Sequence, residues 1–267
     1  MLNKKEVVKK VLPKENDNKV QKKDSKKVKI SYPHEGERVK TGIPGFDELV
    51  QGGLPRGKIV LLSGTPGTCK TILGLQYLYN GATMFNEKGL FVTIEERIEG
   101  LKKQARQFGW DFDSLEKQGI IKLLRLDSAN IKGITSKEIM KYAQRNCVKR
   151  LVLDSLSALA INTPNVYSEG KAMSDIKVMQ FIYSFINDLK KDGMTTLLIS
   201  QTKADELSRD SVSEFTCDGI IYIKYENLGG DYSRHLMIRK MRETKHSEDI
   251  HPIEVSKDGL SLHKLSD

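Results

Sequence analysis

From about Arg38 onward, short apolar runs alternate with stretches whose apolar residues recur every three or four positions, and glycines mark the joins. Short apolar runs bounded by turn formers read as buried strands, and the three-to-four spacing reads as amphipathic helix. The pattern predicts strands over Lys58–Ser63, Gly89–Glu95, Ile120–Leu126, Arg150–Asp154 and Met194–Gln201. Between them it predicts helices over Lys70–Phe85, Ile98–Phe108, Ser136–Cys147 and Asp175–Lys191. Strand–helix alternation at this spacing calls for right-handed crossovers. The fold class is therefore α/β, with a mostly parallel central sheet covered by helices on both faces. After Asp218 only strands remain, at Gly219–Tyr225, Arg234–Met241 and Ile250–Ser256, which form an antiparallel C-terminal extension of one edge. No internal repeat is visible, so residues 38–267 read as one domain.

Residues 1–37 have a different texture. They lack a hydrophobic period, and residues 1–30 carry eleven lysines against four acids, a net of +7 out of +9 for the whole chain. Such a segment buries too little to offset its ordering entropy and reads as a disordered basic tail. It is either a solubilising extension or an electrostatic arm for nucleic acid, an acidic protein or a membrane surface. The remaining body is close to neutral, which removes the simple argument from net charge to nucleic-acid binding. No apolar run approaches the ~18 residues of a spanning helix, and no secretory leader pattern follows the basic start. Cys69, Cys147 and Cys217 are far apart, without disulfide or zinc spacing. A soluble protein with reduced thiols in the cytoplasm, with no membrane partner, is the expectation.

Chemistry enters at Ile59-Val-Leu-Leu-Ser63, which runs into Gly64-Thr-Pro-Gly-Thr-Cys-Lys-Thr71 and then a helical pattern. A strand, a turn and a helix N-terminus make an anion site, because unpaired N–H groups converge there and the helix dipole adds positive potential. Lys70 would neutralise β/γ-phosphate charge and Thr71 would ligate Mg²⁺. The usual spelling has glycine immediately before the lysine, where this chain has Cys69. Cys69 keeps its N–H but adds a Cβ. It is either a tolerated small side chain, a redox switch or the mark of a relic site.

Three further strand ends carry polar groups. Asp154, closing Arg150-Leu-Val-Leu-Asp154, is a candidate for Mg²⁺ through water, or an ordinary helix cap. Glu95 and Glu96 close another strand. Neighbours on a strand face opposite ways, so one of them, Glu95 in preference to Glu96, would orient and partly deprotonate an attacking water. The alternative is a solvated strand end. Gln201 would sense a γ-phosphate, or simply form a turn.

The segment Thr41-Gly-Ile-Pro-Gly-Phe-Asp-Glu-Leu-Val-Gln-Gly-Gly-Leu-Pro-Arg-Gly57 opens directly into the phosphate strand. With Val92-Thr-Ile-Glu-Glu96, Phe108-Gly-Trp-Asp111, Leu151-Val-Leu-Asp-Ser155 and Lys240-Met-Arg-Glu-Thr-Lys-His246, it resembles the KaiC-like group of RecA-superfamily P-loop ATPases. The matches cover about Arg38 to Leu262 and look like a one-domain archaeal form. The resemblance implies a ring, commonly a hexamer, with ATP and Mg²⁺ between subunits. On that reading Gly64, Thr65, Pro66, Gly67, Thr68, Cys69, Lys70, Thr71 and Ile72 hold the nucleotide from one protomer, with Glu95 and Glu96 acting beside them. Lys240 and Arg242 match the motif that reaches the neighbour's γ-phosphate, with Met241 between them. Arg234 matches a further basic position upstream, and Thr244 and His246 lie near the same neighbouring nucleotide. Read without the family, Arg234–Arg242 is a basic edge strand. The family's cyanobacterial clock protein has two such domains in tandem, and Glu214-Phe215 stands where its phosphorylated domain has a Ser–Thr pair, which argues against autokinase activity.

Three functions compete. The first is a slow, Mg²⁺-dependent regulatory or signalling ATPase. The second is a recombination or repair ATPase acting on DNA, and the third a nucleotide-dependent scaffold with little hydrolysis. The loops at Thr202–Thr216 and Ile161–Asp175 carry net charges of −2 and −1, and acidic loops repel a phosphate backbone.

Overall fold

The computed structural model describes residues 36–126, 136–161, 171–202, 206–208, 211–226 and 233–263. The basic tail lies outside this set except for its last two residues, and so do residues 162–170, 203–205 and 209–210 of the two acidic loops. Among the described residues, a nine-stranded sheet forms the centre of the molecule.

Six parallel strands carry the phosphate-loop end. They are β3 (Ile59–Gly64), β4 (Gly89–Thr93), β5 (Ile121–Arg125), β6 (Arg150–Asp154), β7 (Thr195–Gln201) and β8 (Gly219–Tyr225). A short ribbon of β1 (Arg38–Val39) and β2 (Leu54–Pro55) precedes them. The chain then turns back through β9 (Arg234–Met241), β10 (His251–Ser256) and β11 (Gly259–Leu262). The order across the sheet is β11-β10-β9-β8-β3-β7-β6-β4-β5, with the pairings on the β9 side antiparallel. The fully buried β3, read from its unbroken apolar run, lies between β7 and β8. The fold class and the antiparallel extension both stand.

Helices cover both faces. On one, α1 (Lys70–Phe85), α2 (Ile98–Gln107) and α3 (Phe112–Lys117) close a core that includes Leu62, Leu78, Phe91 and Val152. On the other, α4 (Ser136–Asn146), α5 (Leu156–Ile161) and α6 (Lys171–Leu189) enclose Leu61, Val92, Leu153 and Leu198. Alternate residues of each strand thus feed opposite cores, as the pleat requires. A short helix, α7 (Val212–Thr216), precedes β8. Trp110 is a core aromatic, stacked on Phe108 at 4.7 Å and on Tyr79 at 5.7 Å.

Two polar knots fix the elements around the site. Gln76 of α1 grips β11 through both amide atoms, accepting from Leu260 N at 2.8 Å and donating to Leu260 O at 3.0 Å. Arg150, at the start of β6, is 1% exposed. Its Nε pairs with Glu87 at 2.7 Å, while its Nη1 and Nη2 donate to the carbonyls of Tyr77 and Lys40 at 3.0 and 2.9 Å. Its guanidinium also lies over the Tyr77 ring, 4.7 Å from the centroid. A buried charge is tolerable only with partners of this kind. Here they tie β6, α1 and the segment leading to β2 together.

Candidate functional site

Gly64 ends β3 where no side chain fits. A Cβ there would stand 2.2 Å from the Ile223 carbonyl of β8. The loop then crosses Thr65–Thr68, braced by the Thr68 hydroxyl donating to Thr65 O at 2.8 Å. Cys69 precedes α1 in the left-handed region, at φ 66° and ψ 21°, a conformation that suits glycine. The departure from the usual spelling therefore falls where a Cβ is strained, yet the turn the loop needs is still made. Neither a capping side chain nor an acid sits on the first turn of α1, so its amino end keeps its positive potential.

Lys70 is 6% exposed, and its Nζ donates to Gly64 O, Thr65 O and Thr68 Oγ1 at 2.8, 2.7 and 3.1 Å. All three partners are uncharged oxygens. Burial pulls its pKa down to about 8, against the charges of Asp154 and Cys69. An ammonium held this way is drawn towards incoming anionic oxygens. Asp154 ends β6, and its Oδ2 accepts from the Thr71 hydroxyl at 2.7 Å. Burial pushes the Asp154 carboxyl up to about 6; the Thr71 bond opposes this, Glu96 and Glu95 add to it, and Lys70 opposes it. A hydroxyl and a carboxylate oxygen side by side, in a spot already crowded with negative charge, are hard donors suited to a Mg²⁺ shared with phosphate.

These groups open onto a cavity of about 340 Å³ lined by residues 66–72 with Gln104, Asp154, Ile199 and Gln201. A larger hollow of about 920 Å³ lies at Glu48, Lys245, His246 and His251, but the phosphate-loop chemistry belongs to the smaller one. Gln201 reaches the cavity from the end of β7, with its backbone N–H donating to Ser157 Oγ at 2.9 Å.

The two glutamates differ from their sequence placement. β4 stops at Thr93, two residues earlier than the apolar run suggested, so both lie in the bend that follows. Glu95 is exposed and accepts from Ser155 Oγ at 3.2 Å. Glu96 is half-buried and accepts from Gln104 Nε2 at 2.7 Å. Neither lines the cavity. Gln104 was missed in the sequence: it lies eight residues beyond Glu96 on an amphipathic helix, and nothing in its neighbourhood marks it as chemical.

The basic residues divide into two groups. Arg234, at the start of β9, lies on this chain's own loop. Its Nε donates to Gly67 O at 3.0 Å and its guanidinium stands 5.1 Å from the Tyr225 ring centroid. Burial pushes the Cys69 thiol up, while Arg234 and Lys70 pull it down. Lys240 and Arg242 lie at the opposite end of the sheet, because β9 runs antiparallel to β8. From Arg234 to Lys240 the strand covers about 20 Å at ~3.4 Å per residue. Lys240 Nζ donates to Glu214 O and Cys217 O at 2.8 and 2.7 Å, and Arg242 to Phe215 O at 3.1 Å. Burial lowers the Lys240 pKa, helped by the adjacent Arg242 charge. Met241 is buried, Thr244 accepts from Arg38 at 2.6 Å, and His246 Nδ1 meets Ser247 O at 2.9 Å. The structure thus gathers Gly64–Ile72, Asp154, Gln201 and Arg234. It keeps Lys240, Met241, Arg242, Thr244 and His246 away from them.

A central parallel strand running through a glycine-bounded loop into a helix, with lysine, threonine and a strand-end aspartate converging, defines a P-loop nucleotide-binding protein of the RecA type. The description "ATPase: KaiC" matches residues 39–267, and the chain belongs to that family of ATP-binding ATPases. It is 35% identical to a UPF0273 protein of Thermotoga maritima over 244 residues, 85% of this chain and 96% of that one. It is 33% identical to the circadian clock oscillator protein KaiC of Thermostichus vulcanus over 243 residues, 86% of this chain and 45% of that one. The crystal structure of a KaiC-like protein from Pyrococcus horikoshii OT3 superposes with a TM-score of 0.73 at 36% identity, covering 85% of this chain and 99% of that one. The relatives are bacterial as well as archaeal, so the archaeal expectation has no support from them. Among the described residues no helix is long and apolar enough to cross a membrane.

Proposed function

We propose that this chain is a slow, Mg²⁺-dependent ATPase whose copies close into a ring, commonly a hexamer, with ATP at each seam. Its output is regulatory or signalling, and its working place is the cytoplasm. The loop N–H groups of Gly64–Ile72 and the Lys70 ammonium bind the phosphates. Thr71 and Asp154 would hold Mg²⁺, which supplies charge neutralisation on the phosphate oxygens when bound. Glu95 or Glu96 orients the attacking water and accepts its proton, and Gln201 responds to the γ-phosphate. Arg234 steadies the loop from the same chain. Lys240, Met241, Arg242, Thr244 and His246 serve the neighbour's nucleotide, where delivered cations stabilise transition-state charge.

One observation carries this reading: the Lys240–Arg242 edge lies about 20 Å along β9 from the end that touches this chain's own loop, out of reach of its own nucleotide. The test is mixing. Lys70→Ala and the pair Lys240→Ala/Arg242→Ala are each expected to be inactive alone. Mixed, they should regain turnover, because some seams then combine an intact loop with an intact basic edge. Light scattering should show one large particle with Mg-ATP. A particle that stays single, with no regain on mixing, refutes the seam. ATP binding without turnover in any form would leave a scaffold instead. The negative charge of the two loops speaks against a DNA-threading role.

A further inference from the structure

Neither Glu95 nor Glu96 lines the phosphate-loop cavity. The side chain that joins Glu96 to that cavity is Gln104. It lines the cavity with Thr71 and Asp154, and its Nε2 donates to Glu96 Oε1 at 2.7 Å. An ionised carboxylate cannot donate, so the amide nitrogen must face Glu96 and the amide oxygen must face elsewhere.

Glu96 is otherwise fixed through its backbone. The Thr93 hydroxyl donates to Glu96 O at 3.1 Å and accepts from Glu96 N at 3.2 Å. That leaves the side chain's orientation to Gln104. The second carboxylate oxygen, Oε2, is buried and has no partner. A buried acceptor of this kind calls for a proton donor; it is closed to solvent as the site stands, so the water that hydrolysis requires would reach it from the cavity past the Gln104 amide. Glu95 offers no such combination, being exposed and bonded to Ser155.

We infer that Gln104 is a positioning residue for hydrolysis: its amide holds the Glu96 carboxylate beside the phosphate-loop cavity, with Oε2 left for the attacking water. The inference rests on the reading of a glutamate as the water-orienting group, and it selects Glu96 over Glu95.

The test is steady-state ATP turnover of the full chain, wild type and variants, with thermal unfolding midpoints as a check on folding. Gln104→Met keeps the length of the side chain and removes the amide. It is expected to lower kcat by about 10–100-fold, the usual loss for a misplaced catalytic group, with KM within about threefold. Gln104→Glu sets a like charge against Glu96 and should fall at least as far. In a Glu96→Gln background, Gln104→Met should cost less than about threefold more, because the two act as a unit. Independent, multiplicative losses overturn the inference. So does a raised KM with unchanged kcat, which would make Gln104 a nucleotide contact. If Glu95→Gln abolishes turnover and Glu96→Gln does not, Glu95 holds the role and Gln104 positions nothing. Turnover untouched by either glutamine substitution refutes the water-orienting reading itself.

Discussion

Replacing Arg150 with methionine tests how β6 is anchored. Methionine keeps much of the apolar length, so the cavity left behind is small. The guanidinium's partners are left exposed to the loss. The Lys40 carbonyl loses its donor, the Tyr77 carbonyl keeps only its bond within α1, and Glu87, whose side chain is 14% exposed, loses its closest cation. Each orphaned buried acceptor costs about 1–3 kcal/mol, and breaking a buried ion pair costs about 3–5 kcal/mol. Arg56 still pairs with Glu87 at 2.9 Å, which places the charge loss at the low end. The expected total is about 4 kcal/mol. For a domain of this size that lowers Tm by roughly 10 °C, at about 2–4 °C per kcal/mol. Urea unfolding followed by circular dichroism reads it directly, with the slope m unchanged. The double variant Arg150→Met/Glu87→Leu should recover part of the loss, since an apolar pair replaces the ionic one. A single variant within about 1 kcal/mol of wild type, or a strictly additive double variant, would refute the anchoring role.

Three further outcomes are expected. Burial works to raise the Glu87 pKa, but the hydrogen bonds and charges of Arg150 and Arg56 outweigh it and hold it below the usual glutamate value. Its folded pKa is therefore below its unfolded one, and the stability it contributes is full above about pH 5 and lost as pH falls through the folded value. The stability gap between wild type and Glu87→Gln should accordingly shrink on acidification, and a gap that widens reverses the sign. Gly81→Ala should destabilise by about 2 kcal/mol or more in a melt, although alanine is the better helix former by about 1 kcal/mol. The added Cβ would stand 2.5 Å from Arg150 Cδ and Nε. Alkylation by iodoacetamide at neutral pH should modify exposed Cys147 before Cys69, whose thiol burial pushes up; peptide mass mapping that finds Cys69 first would revive a redox role.

Much of the frame was legible because local pattern and tertiary burial agree there. The helix Lys70–Phe85 and the strands Gly219–Tyr225 and Arg234–Met241 have the bounds that periodicity assigns. Short elements escaped. α3 offers a single turn's worth of pattern and declares itself mainly through Asp111, which accepts from Ser114 N at 2.9 Å. β11 is four residues long and exists through its two-residue hairpin with β10 and the Gln76 clasp, which is 184 positions away in sequence. Its turn is Lys257-Asp258, and Gly259, which opens β11 at φ 124°, was the available signal. The phosphate loop, Asp154 and Gln201 were readable because each sits at a strand end. The cis placement of Arg234 was not, since it depends on the reversal of β9 against β8.

That reversal makes β9 a strut. Its first residue holds the Gly67 carbonyl, and the cations at its far end, Lys240 and Arg242, brace carbonyls at the end of α7. A strand laddered to β8 along its length, and to β10 at His235 and Leu236, cannot slide by half a residue without breaking its register. It can, however, tilt or press as a unit. Whatever displaces Lys240 therefore bears on the phosphate grip along the seven residues from Arg234 to Lys240, so in the ring proposed above adjoining seams would feel each other's nucleotide state through a single strand.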